Sequence, residues 1–220
     1  MMISSRSFAR LNALAGQAGV VMLTISYNIN LTPLQPQPTQ AHLAAFVASR
    51  ALILAAWLQA VGTVLCVVFA LALVHLAEMA SRFSGWLTFL GGMLLTVTSL
   101  VEVAFFFSAT TGSQPTIALI SLDLILAAHR LHFIIAVPAL FFPLGYVITT
   151  SRILPRALGG AAIGLALVFA SLGIADLFIA LPVVDDIARS LELLWWFIAA
   201  VALLMRAGKL PDSATQAASE

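Results

Sequence analysis

Seven side chains in this sequence are of types that could do chemistry together: Glu102, Asp123, His129, Arg130, His132, Asp176 and Glu192. Carboxylates, imidazoles and a guanidinium bind ions, relay protons or hold polar ligands. His129 and His132 are three residues apart, a helical spacing that can turn two imidazoles toward one metal ion, with a carboxylate from a neighbouring helix completing the set. They lack the Glu-containing helical signature of a metalloprotease. No Gly-rich phosphate loop, cysteine pair or Ser/His/Asp order is present, so no catalytic residue is assigned. Asp123 is seven residues before Arg130, which puts both on one face of a continuous helix. Arg130, together with protonated histidines, is expected to neutralise Glu102, Asp176 and Glu192.

The elements that must position these groups are membrane spans. Of 220 residues, 62% are hydrophobic and only 9% charged, with a mean hydropathy of +1.08. A water-soluble domain would have nowhere to put that apolar surface. About 20 apolar residues cross a hydrocarbon core of roughly 30 Å as a helix. Six segments are long enough, near Leu11–Asn30, Ala51–His75, Gly85–Phe107, Leu131–Thr150, Ala157–Leu181 and Ile187–Met205. They do not alternate as barrel strands do, so the fold class predicted is an all-α membrane bundle. One polytopic unit covers residues 1–206, and Ala207–Glu220 reads as a disordered tail.

Loop charge sets the orientation. One set of loops carries Arg6, Arg10, Arg82, Arg152, Arg156, Arg206 and Lys209; the other carries Arg50 and Arg189. Both termini are therefore expected in the cytoplasm, with Leu31–Arg50, Ser108–Arg130 and Pro182–Asp186 outside. Counting ~1.5 Å per residue puts Glu102, Asp176 and Glu192 each roughly 8 Å below the outer boundary. His132 lies beside them, whereas His75 sits at the inner end, more than ~20 Å away in depth, too far for one haem to bridge.

Outside the spans, Thr32-Pro-Leu-Gln-Pro-Gln-Pro38 is extended, and Thr39–Ser49 and Thr116–Ala128 have the composition of short outer interfacial helices. Pro138 and Pro143 predict a kink, because they free the carbonyls of Ile134 and Ala139. Gly160 and Gly164 form a GxxxG stripe for packing within the protein or against a partner. Glu78 and Arg82 read as an i,i+4 pair at a helix end, and Asp185 and Asp186 as caps of the last span. Glu102-Val-Ala-Phe-Phe-Phe107 and Glu192-Leu-Leu-Trp-Trp-Phe197 look alike, but both acids fall on the outer side, which argues against an inverted repeat. Cys66, alone, can form no internal disulfide.

The run Phe142-Pro-Leu-Gly-Tyr-Val-Ile-Thr-Thr-Ser-Arg-Ile-Leu-Pro-Arg-Ala-Leu-Gly159 resembles the Ser-Arg-hydrophobic-Leu-Pro-Arg segment of domain-of-unknown-function family 4386, a family of small prokaryotic multi-span membrane proteins. Leu100-Val-Glu102, Ala128-His129 and Leu191-Glu192 resemble the same pattern. The resemblance implies a multi-pass fold in a prokaryotic plasma membrane and no known activity. That family often has an arginine three residues before the span-three acid. Here the position is Ser99, which makes Arg130 the expected partner of Glu102.

The function expected is non-enzymatic: a binding or accessory protein whose outward polar cluster holds a small ligand or ion, or contacts a membrane partner or a second copy. The alternatives are a membrane-embedded metal-dependent enzyme using His129 and His132 with a carboxylate, and a small transporter. No cofactor is predicted beyond that metal ion. The bilayer is an expected partner, and nucleic acid is not expected because no basic patch exists.

Overall fold

The computed structural model describes residues 5–29, 50–111, 115–179 and 182–208. The predicted extended segment and helix between residues 31 and 49 lie outside the described residues. So does the predicted tail beyond residue 208; its first residue, Ala207, is instead the buried last residue of the final helix.

The fold is an all-α bundle with six helices long and apolar enough to cross a membrane, and no strand among the described residues. The elements are α1 (Ser5–Ile29), α2 (Arg50–Leu76), α3 (Phe83–Thr111), α4 (Pro115–Leu131), a π-turn (His132–Ala136), α5 (Val137–Ser151), α6 (Arg156–Asp176) and α7 (Pro182–Ala207). In lipid, helices gain little from hiding apolar surface from one another, so close packing and interhelical hydrogen bonds must hold them.

Small residues make that packing. The buried face of α1 runs Ala9, Ala13, Gly16, Gly19, Val20, Leu23 and Ser26, the 3–4 spacing of one helical stripe. It lies so near α2 that a methyl group on Gly19 would come within 2.8 Å of the Gly62 carbonyl oxygen. Ser26 then donates across the same pair to the Ala55 carbonyl, at 2.7 Å. The interior between α2, α5 and α7 is filled by Phe69, Phe141, Trp195 and Trp196, which meet edge to face with centroids 4.9–6.1 Å apart. Trp195 also donates to the Leu158 carbonyl at 2.8 Å, tying α7 to α6.

Four expectations change. Thr116–Ala128 is not a separate interfacial helix: an apolar helical stretch runs from Thr116 to Ser151, 36 residues. At ~1.5 Å per residue that is about 54 Å, well beyond a hydrocarbon core. Its first half packs on α3 and α2 through Ala118, Leu122, Ile125, Val103, Phe106 and Leu52, which is why it stays helical. Second, the irregularity near Pro138 is the π-turn that precedes it, where the Val137 amide reaches back to the His132 carbonyl. Third, Glu78 and Arg82 are not a helical pair, because α2 ends at Leu76 and Glu78 turns into the left-handed region at φ 55°. Fourth, a side chain at Gly160 or Gly164 would meet nothing within 4 Å, so among the described residues no helix packs on the GxxxG stripe.

The Ser-Arg-Ile-Leu-Pro-Arg run acquires a physical account. Arg152 ends α5 in the left-handed conformation at φ 61°, Leu154 buries its side chain, and Pro155 precedes α6. Arg206 of α7 donates to the carbonyls of Arg152 and Ile153 at 2.8 and 3.0 Å, satisfying groups the helix end leaves open. Arg206→Ala is expected to cost about 1 kcal/mol, read as a small fall in Tm in detergent with unchanged oligomeric mass.

Candidate functional site

The polar side chains meet at the end of the bundle where α1, α3 and α6 finish and α7 begins. Two rungs join the α4/π-turn segment to α7. In the first, the guanidinium of Arg189 lies against the His129 ring, its Nη2 at 2.6 Å from Nε2. One turn further in, His132 Nε2 stands 3.8 Å from Glu192 Oε2. The spacings match because His129 to His132 and Arg189 to Glu192 are both three residues, so each pair shares a helix face. Glu192 Oε1 also accepts from Trp196 Nε1 at 3.3 Å.

Deeper, between α2 and α3, Gln59 Nε2 donates to Glu102 Oε2 at 2.7 Å, and both residues are 6% exposed. The hydroxyls of Thr63 and Ser99 follow at 3.1 Å. The Arg189 guanidinium sits 5.2 Å from the Tyr27 ring centre and 5.5 Å from that of Phe133. Such contacts attract a cation to an aromatic face.

Two buried nitrogens here make no hydrogen bond among the described residues: His132 Nε2, which has only the longer ionic contact with Glu192, and Arg189 Nε. Nor does any carboxylate lie within 4.0 Å of Arg189 among the described residues. A buried donor left open costs about 1–3 kcal/mol, more when charged.

The residues named from sequence divide accordingly. Glu192, His132 and His129 do converge, and Glu102 lies beneath them. Arg130 does not join: it pairs with Asp176 at 3.1 Å on the outside of the cluster, its side chain 49% exposed. Asp123 is exposed on α4, apart from the cluster. The expected pairing of Arg130 with Glu102 and Glu192 is therefore corrected, since Gln59 meets one acid and His132 and Trp196 meet the other. Arg130→Gln should lower stability by under about 1 kcal/mol, as an exposed pair does, and a thermal melt at low and high salt checks it.

Arg189, Tyr27 and Trp196 are the residues that sequence reasoning missed as site members. Counting Arg189 as a loop charge hid it; its position one turn before Glu192 on an apolar helix was the signal available. For metal binding, no three His, Cys, Asp or Glu side chains are grouped to hold an ion among the described residues. Arg189 occupies the side of His129 where a metal would approach, and a fixed cation there repels another.

No family model, curated protein or solved structure matches the chain.

Proposed function

We propose that this chain is a binding or accessory protein of a prokaryotic plasma membrane, with both termini cytoplasmic, holding a small polar guest between α7 and the π-turn. The observation that carries the reading is the pair of buried nitrogens on Arg189 and His132 that make no hydrogen bond, set beside Glu192. Ionisable groups inside a bundle mark binding or conduction sites because their burial is otherwise costly. The orientation rests on the loop charges, and the prokaryotic membrane on the resemblance of the Ser151–Arg156 run.

A binding role fits the chemistry better than catalysis. The groups at hand are donors and a positive charge already in contact with aromatic faces, and no nucleophile stands beside a base. Native purification in lipid nanodiscs followed by mass spectrometry of the extracted protein tests this. A stoichiometric small molecule or ion that disappears in Glu192→Gln or Arg189→Gln supports the reading. Guest-free protein whose melting falls with either substitution would instead make the cluster a closed polar network.

A further inference from the structure

We infer that the guest is a singly charged oxyanion, the carboxylate or phosphodiester of a small solute or lipid headgroup, held by Arg189 with His132 as the second donor. The inference rests on the binding reading above and adds the ligand's charge and chemistry. Each buried acid of the cluster already has a neighbour: Glu102 accepts from Gln59, and Glu192 accepts from Trp196 and faces His132. Asp176 is taken by Arg130. Arg189 alone among these charged groups has no counter-ion within 4.0 Å among the described residues, and its open Nε–H can only donate.

Tyr27 and Phe133 favour the guanidinium through their ring faces, but they carry no negative charge to cancel it. An oxyanion would supply that charge and accept from Nε–H, a donor that lysine does not have. His132 Nε2 on the facing helix, which makes no hydrogen bond and stands 3.8 Å from Glu192 Oε2, offers the second bond. Glu192 beside that nitrogen repels a second negative charge, so a monoanion is favoured over a dianion. A cationic guest would meet Arg189 in the place where its own stabilising faces are already filled.

The test is thermal unfolding of the full chain in two arms. Sodium acetate, against chloride at equal ionic strength, probes a free carboxylate; nanodiscs of phosphatidylglycerol against phosphatidylcholine probe the headgroup. A Tm rise of about 5 °C or more in either arm is expected at saturation. It should vanish in Arg189→Gln and fall to less than half in Arg189→Lys. A wild type unmoved in both arms overturns the inference, as does an undiminished rise in Arg189→Gln. Should Arg189→Gln fail to fold, Arg189→Lys with wild type decides. A cation or neutral molecule recovered at stoichiometry would overturn the oxyanion while leaving the binding reading standing.

Discussion

Gly91→Leu is expected to abolish recovery of folded, monodisperse protein, while Gly160→Leu leaves Tm unchanged within the equivalent of about 0.5 kcal/mol. A methyl group on Gly91 would lie 2.3 Å from the Ala139 carbonyl oxygen and 2.6 Å from the Leu140 Cα. Those are backbone atoms of α5 and cannot rotate away. The two helices would have to separate, a cost of at least about 3 kcal/mol once a whole isobutyl group is added. The contact is also chemically specific. Ala139 is the carbonyl that loses its helical donor to Pro143, so the Gly91 Cα–H faces an oxygen with a free lone pair. Gly160 faces open space, where a leucine meets lipid as readily as glycine does. Size-exclusion with light scattering and a thermal melt of both variants reads the contrast. A folded Gly91→Leu protein of parental stability would contradict the α3–α5 packing, and a Gly160→Leu protein of altered mass would place a partner on that stripe.

Gln59→Leu is expected to destabilise the bundle by about 3 kcal/mol, a fall in Tm of about 6–12 °C. The hydrogen bond itself accounts for the smaller part, because interhelical bonds in membranes average well under 2 kcal/mol. The larger part is the Glu102 carboxyl left buried without its donor. Replacing both partners removes that penalty, so the Gln59→Leu, Glu102→Leu double variant should melt near the parent. Glu102→Gln should cost under about 1 kcal/mol, since an amide oxygen still accepts from Gln59. Additive losses in the double variant would show that the two side chains do not depend on each other.

The bundle was legible in the sequence because length and apolarity decide a membrane helix locally. Boundaries were less so: α4 continues into the π-turn because Leu122 and Ile125 find cover on α2 and α3, a fact of packing that no local pattern contains. The site was read in part for the same reason. Glu192 and His132 declare themselves as ionisable groups inside apolar runs, but the partner of Glu102 lies 43 residues away on another helix. Its selection depends on which faces meet. Glycine spacing is silent in the same way: Gly160 and Gly164 describe a smooth stripe without saying what it faces, whereas Gly91 meets a carbonyl exposed by a proline on a distant segment.

The π-turn has a consequence for how such a site could arise. Each residue of an α-helix advances the direction of its side chain by about 100°. A π-turn absorbs one extra residue without breaking the rod, so everything before it is rotated relative to everything after it. His129 and Arg130 precede the turn and the α5 face against Gly91 follows it. The facing of the two imidazoles toward α7 is thus a matter of phase as well as of residue type. A gain or loss of one residue between His132 and Ala136 would redirect His129, with every side chain of the cluster still present.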